Sequence, residues 1–357
     1  MKKFCLAATF MFFIFCCFAA DTGKIRIRVL EKYMPEEITI TGPDKNTVMI
    51  NARAIGRKTI MPFGLKTGDY RIKSGSIERV YRGNIEVSKD TNGRIKLIVI
   101  SDIEDYAACA AASELSPDVF STESAKALVI LTRSYAVLNL KRHKDYDLCD
   151  LTHCELYRGL PYDFERWKKY ASETRGMIIK DKDGGNAAFF SSCCGGTLEN
   201  YKEAWGKKNP KNSVVRYDRL NGKTLCENNG FFSWEREILK SELERVSGKK
   251  GIKDFNVTRR TSSGRADEFE IILNSGMVYK YDAGIFMSKF GREFGWNRIP
   301  SRLFNIKKEQ DKYILYGNGL GHGCGMCLAG AKALAEKGYG FMEIIKFYFP
   351  DVVFLQI

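Results

Sequence analysis

Ser101-Asp102-Ile103-Glu104-Asp105-Tyr106-Ala107-Ala108-Cys109-Ala110-Ala111-Ala112-Ser113-Glu114 is where the chain changes texture. Acidic Glu104 and Asp105 suit the positive end of a helix, and the small residues Ala107 to Ser113 continue it until Pro117 stops it. Glu114 then falls in the last turn. Small side chains let a helix approach its neighbours closely, so this helix is expected at the centre of a domain with Glu114 presented at its end.

Upstream, from Lys24 to Ile100, apolar and polar residues alternate in Ile25-Arg26-Ile27-Arg28-Val29, Ile38-Thr39-Ile40-Thr41 and Arg94 to Ile100, with Gly, Pro and Asn turns between. Period two predicts half-buried strands. Downstream, Ser121-Thr122-Glu123 opens a longer helix to about Arg142, with Ala125, Leu128, Val129, Thr132, Tyr135 and Ala136 as its apolar stripe. A third helix is expected over about 164–175. Strand-like Met177 to Lys180, a turn at Asp183-Gly184-Gly185 and a strand through Phe189-Phe190 then read as a hairpin. Lys249 to Ile314 is again strand-rich, with turns at Ser263-Gly264 and Asn274-Ser275-Gly276. Helices close the chain at about 330–337 and 342–348.

The pattern predicts an α+β fold: a leader over 1–20, a strand-rich region over 21–100 and a helical core over 101–226. A strand-rich region over 227–357 then returns to that core through a glycine-rich loop and the C-terminal helices. The 357 residues, 44% hydrophobic and 12% aromatic, suffice for one large core or two modest ones. Met1-Lys2-Lys3, the apolar run Phe4 to Phe18 and Ala19-Ala20-Asp21 have the order of a signal peptide, so the chain from about Asp21 is expected outside the cytoplasm: secreted, periplasmic or wall-associated. A membrane anchor follows only if the leader is uncleaved. A net charge of +14 favours anionic partners, here wall polymers or lipid headgroups; it also fits a merely solubilising surface. Without a helix-turn-helix, finger or aromatic-basic strand motif, nucleic acid is not an expected partner. Of 11 cysteines, Cys5, Cys16 and Cys17 fall in the leader; the rest enter an oxidising compartment where disulfides and metal capture compete.

Three constellations carry chemistry. His143-x5-Cys149-x3-His153-Cys154 puts four ligands in twelve residues. Zn²⁺ favours such a tetrahedral N/S set, and a full Cys2His2 shell is structural rather than catalytic. The rival is a Cys149/Cys154 disulfide with solvated histidines. Ser191-Ser192-Cys193-Cys194-Gly195-Gly196-Thr197 can bring backbone donors to a polar ligand, or be an ordinary turn with a disulfide. Gly317-Asn318-Gly319-Leu320-Gly321-His322-Gly323-Cys324-Gly325-Met326-Cys327 lacks the Lys-Ser/Thr of a phosphate loop, and Cys324-x2-Cys327 lacks a second CxxC, so packed thiols or a structural disulfide is expected there. His322 with a cysteine could form a nucleophile and base pair, but no nucleophile elbow or HExxH accompanies it.

Four stretches together resemble the stage II sporulation protein D and amidase-enhancer family of bacterial cell-wall proteins. They are Tyr81-Arg82-Gly83 through Glu104-Asp105-Tyr106 to Ala112-Ser113-Glu114; Thr132-Arg133-Ser134-Tyr135-Ala136; Cys149 to Gly159; and a composite of Thr174-Arg175-Gly176, the Ser191 to Trp205 loop, Arg260 to Arg265 and Gly321-His322-Gly323 to Ala331. They span roughly residues 75 to 350. The resemblance implies a peptidoglycan lytic transglycosylase acting on glycan strands stripped of stem peptides, with Glu114 as acid/base. It implies zinc on His143, Cys149, His153 and Cys154. Arg133 and Tyr135 are expected in glycan binding or site geometry, and Ser191, Ser192 and His322 in the groove wall. Cys109, Cys324 and Cys327 depart from the family pattern. The rival expectation is a glycan-binding module that enhances a partner N-acetylmuramoyl-L-alanine amidase without cutting.

Overall fold

The computed structural model describes residues 23–56, 58–115, 120–151, 153–182, 188–205 and 216–357. The expected leader and the expected turn at Asp183-Gly184-Gly185 lie outside them. The fold is α+β. Six strands lead: β1 (Lys24–Val29), β2 (Glu37–Thr41), β3 (Thr47–Asn51), β4 (Gly68–Ser74), β5 (Ile77–Lys89) and β6 (Ile95–Asp102). With β7 (Leu148–Cys149) they form one sheet in the order β3-β2-β4-β5-β6-β1-β7. Alternation in β1 is explained by burial of Ile25, Ile27 and Val29 on one face. β5 serves two partners: Ile77 to Gly83 pair with β4, and Asn84 to Lys89 with β6. Gly83, at φ 141°, makes the changeover, because a Cβ there would collide with the Ile100 carbonyl.

β6 runs straight into α1 (Ile103–Glu114), whose first turn is capped by the Asp102 carboxylate accepting the Glu104 N–H at 2.8 Å. α2 (Thr122–Leu138) starts at a Ser121 cap and α3 (Phe164–Glu173) follows the β7 loop. Ala107, Ala108, Ala110 and Ala111 are fully buried, and the Thr132 hydroxyl of α2 donates to the Ala107 carbonyl at 3.1 Å. α2 stops four residues before its expected end. Asn139 turns its amide onto the Tyr135 carbonyl at 2.7 Å, and Lys141 takes the left-handed conformation.

The expected hairpin after α3 is corrected. β8 (Met177–Lys180) pairs with the C-terminal strand, and β9 (Phe190–Ser191) runs parallel to a strand that follows the glycine-rich loop. Next come β10 (Thr197–Leu198), α4 (Tyr201–Trp205), β11 (Arg216–Tyr217), β12 (Arg219–Leu220) and β13 (Lys223–Thr224).

A second core is built by β14 (Trp234–Leu239), α5 (Lys240–Ser247), β15 (Ile252–Arg260), β16 (Ala266–Leu273), β17 (Val278–Asp282), α6 (Ala283–Phe294), β18 (Phe304–Lys308) and β19 (Lys312–Gly317). Phe255, Phe269, Phe286 and Tyr313 fill it. α5 and α6 stand in a region the sequence pattern assigns to strands. The chain then rejoins the first core through β20 (Met326–Cys327), α7 (Leu328–Glu336), α8 (Phe341–Tyr348) and β21 (Val353–Gln356), the partners of β9 and β8. Among the described residues no helix is long and apolar enough to cross a membrane.

One buried ion pair joins these parts. Arg133, in the middle of α2 and 0% exposed, donates to Glu104 Oε2 from Nε (3.1 Å) and Nη2 (2.5 Å), to the Met177 carbonyl (2.9 Å) and to the Ala171 carbonyl (3.2 Å). Glu104 Oε1 accepts the Gly176 N–H at 2.9 Å. Removing one partner of such a pair strands the other charge. Arg133→Ala is therefore expected to lower the unfolding free energy by about 3–5 kcal/mol, measured by urea denaturation.

Candidate active site and metal-ligand cluster

Glu114 ends α1 half-buried. The segment after the β7 loop lies along the same helix end: the Leu156 N–H donates to Glu114 Oε1 at 3.0 Å, and the Arg158 N–H to the Ser113 hydroxyl at 3.0 Å. Burial raises the Glu114 pKa above the usual carboxylate range, against the opposing Leu156 hydrogen bond and Arg158 charge. Its neighbour Glu155 is 4% exposed and accepts the Tyr106 hydroxyl at Oε2 (3.1 Å), while its Oε1 has no hydrogen-bond partner among the described residues. Burial, reinforced by Glu114, holds the Glu155 pKa well above its ordinary value. The sequence pattern gave no sign of Glu155 or of the Leu156 N–H; both come from the Cys154-Glu155-Leu156 run that follows the metal-ligand spacing.

The donor atoms of His143, Cys149, His153 and Cys154 all lie within 4.8 Å of one another, a set that could hold a metal ion. His143 Nε2 stands 3.3 Å from Cys154 Sγ, and His153 Nε2 3.3 Å from Cys149 Sγ. Hydrogen bonds from Cys149 and His143 draw the Cys154 thiol down to about 5, against its burial and towards the thiolate that a metal binds. The loop is moored to the sheet. Leu148 and Cys149 pair with β1, and the Asp147 and Asp150 carboxylates accept the N–H groups of Arg26 (2.9 Å) and Leu30 (2.8 Å).

The other expected site residues divide. Arg133 does not line a surface: all its described contacts are internal, which favours site geometry over glycan binding, the two roles expected of it. Tyr135, 7% exposed, donates its hydroxyl to the His153 carbonyl at 3.2 Å and accepts Arg142 Nη1 at 3.0 Å. It steadies the loop of His153 and Cys154 from α2.

Ser191, Ser192 and His322 come together elsewhere, where β9 meets β20 and Gly321 packs on both serines. Ser191 is buried, and the Ser192 carbonyl accepts the Ala329 N–H at 3.1 Å. His322 borders a cleft of about 980 Å³ that also takes in Lys202, Trp296 and Arg302. Its Nδ1 accepts the Cys324 N–H at 3.0 Å, and the Phe190 backbone also bonds the ring. Burial, then Arg265 and Arg302, push its pKa down to about 4, so it is neutral at pH 7 and acts as a loop tie. All eight described cysteines are free and buried.

Comparison with known proteins places this geometry. Residues 91–180 match the family model described as stage II sporulation protein, SpoIID, a span holding Glu114, Arg133 and all four members of the histidine–cysteine cluster. Residues 209–325 match a domain of unknown function, DUF8618. An uncharacterized protein of Brachyspira hyodysenteriae is 26% identical over 361 residues, covering 93% of each chain. The amidase enhancer of Bacillus subtilis is 24% identical over 273 residues, 66% of this chain but 38% of that protein. The segment that carries α1, α2 and the histidine–cysteine loop is thus the part of the chain that is similar to the SpoIID family.

Proposed function

We propose that the chain is an extracytoplasmic lytic transglycosylase that cleaves peptidoglycan glycan strands, stem-peptide-free ones by preference, with Glu114 as the single acid/base. One observation carries the reading: Glu114 is a half-buried carboxyl that burial biases toward its protonated form and that the Leu156 N–H orients. Protonated Glu114 donates to the glycosidic oxygen as the C1–O bond breaks. As carboxylate it then takes the proton of the muramyl C6 hydroxyl, whose oxygen closes on C1 to give the 1,6-anhydro ring. No water enters, so no second catalytic carboxylate is required. Strands stripped of peptide expose the lactyl carboxylates of muramic acid, which suits the chain's positive charge.

Zinc on His143, Cys149, His153 and Cys154 belongs to the proposal. Two thiolates and two imidazoles would complete the shell that zinc favours, leaving no open coordination position, so a bound metal would act by fixing the loop that delivers Leu156 to Glu114. The second reading, a glycan-binding enhancer of a wall amidase, draws on the similarity to the Bacillus subtilis amidase enhancer and on the cleft beside His322.

Residues 21–357 are expected to convert denuded strands to anhydromuramyl products, seen by mass spectrometry. Glu114→Gln should lower that rate by about 10²–10⁴-fold with an unchanged melting curve. Intact strands after long incubation, with a partner amidase stimulated instead, would select the enhancer. Because the acid form of Glu114 must donate first, the rate should fall as pH rises through its raised pKa; a rate climbing with pH there counts against this role. His153→Ala is expected to shed about one equivalent of zinc and to melt earlier, read by elemental analysis and calorimetry.

A further inference from the structure

A second group of metal-ligating side chains lies outside the site described above and does not depend on the reading of Glu114. Cys194 follows β9, Asp218 stands between β11 and β12, Cys226 follows β13, and Cys327 caps α7. All four are buried, with Asp218 and Cys327 at 0% exposure. Their donor atoms lie within 4.8 Å of one another. Cys194 Sγ is 3.7 Å from Cys226 Sγ and 3.2 Å from Asp218 Oδ2. Two thiolates on one zinc at about 2.3 Å in a tetrahedral shell stand about 3.8 Å apart, whereas bonded sulfurs stand at about 2.05 Å. The observed spacing matches the former.

The surroundings are those of a metal thiolate. The backbone N–H groups of Cys194 and Gly330 point at Cys327 Sγ, at 3.3 and 3.4 Å, the kind of donor that orients a ligating sulfur. The Tyr348 hydroxyl donates to Asp218 Oδ1 at 2.9 Å, which leaves Oδ2 facing the sulfurs. Buried Arg265 donates to the Cys194 carbonyl at 2.7 Å and sets a positive charge beside the group. Gly330 keeps this corner open: a Cβ there would collide with the Tyr348 hydroxyl and both Asp218 oxygens. A carboxylate sunk among three thiols is costly to bury unless a cation meets it. We propose that Cys194, Asp218, Cys226 and Cys327 form a second metal site, structural and closed, for a thiophilic divalent cation such as zinc. Binding releases the three thiol protons. The metal clips the Ser191 to Thr197 loop, the β12–β13 hairpin and the start of α7 into one corner of the first core.

Elemental analysis of residues 21–357, purified with zinc and without oxidant, tests this. The wild type is expected to hold two equivalents; His153→Ala and Cys226→Ser each keep one, and the double variant keeps none. Asp218→Asn is expected to weaken the second equivalent, and Cys193→Ser, whose thiol lies beside Cys226 and Cys327, to leave it in place. If Cys226→Ser misfolds, cobalt-loaded His153→Ala isolates the second site and should keep a thiolate-to-cobalt absorption band. A wild type with one equivalent that His153→Ala removes, a band lost in His153→Ala, or a Cys194–Cys226 disulfide in folded metal-free protein overturns the second site. One equivalent lost only in Cys226→Ser overturns the first site and leaves the second standing.

Discussion

The Arg133–Glu104 pair fixes where everything else stands. A guanidinium sealed inside a core loses several kcal/mol of hydration, and only dense compensation makes that tolerable. Here Glu104 supplies the charge, and the carbonyls of Ala171 and Met177 take further N–H groups. Glu104 is itself favoured at the positive end of α1 and binds the Gly176 N–H. The first turn of α1, the middle of α2, the end of α3 and the start of β8 thus meet at one point. With that end of α1 pinned and its alanines letting α2 close in, the direction of the helix is set, and so is the position of Glu114 at its far end.

The far end is held independently. The β7 loop is fastened to β1 by two strand pairs and by Asp147 and Asp150, and Tyr135 holds it from α2. One residue past Cys154 the chain buries Glu155 against Tyr106, and at the next it delivers its N–H to Glu114. The histidine–cysteine cluster is therefore coupled to the carboxyl through three consecutive residues. In the proposed reaction the metal needs no contact with sugar to matter: loosening the cluster would slacken the one backbone donor that orients the acid.

Legibility in the sequence followed the range of the interactions. Ile25, Ile27 and Val29 read as a strand because one face of β1 is buried, and α1 read as a central helix because its small residues and acidic start are local signals. The pairing of β8 with β21 and β9 with β20 joins segments more than 130 residues apart, and nothing in Met177 to Phe190 announces those partners. Between the two expectations for Arg133, glycan binding and site geometry, the sequence could not choose, because the carboxylate that permits its burial sits on another helix. α6 lay in a stretch read as strand-rich from the turns at Ser263-Gly264 and Asn274-Ser275-Gly276, although Phe286 and Phe290 are one helical turn apart. Cys324-x2-Cys327 looked like a unit, yet Cys327 caps α7 beside Cys194 while the Cys324 N–H turns to His322. The role proposed for Glu114 came from the family resemblance; helical spacing alone marks only a helix end.

Glu155 bears on what the proposed chemistry would yield. A hydrolase of the two-carboxylate type holds a water against the sugar with its second carboxyl, which must reach solvent and be ionised. Glu155 meets neither condition: it is 4% exposed, is hydrogen-bonded to Tyr106, and burial favours its protonated form. Of the two, Glu114 is then the carboxyl that the proposed substrate would reach, and Glu155 would not activate water beside it. A lone acid that must also serve as base needs a nucleophile already attached to the sugar, and the C6 hydroxyl meets that need. In the proposed reaction the burial of Glu155 thus favours cyclisation over hydrolysis.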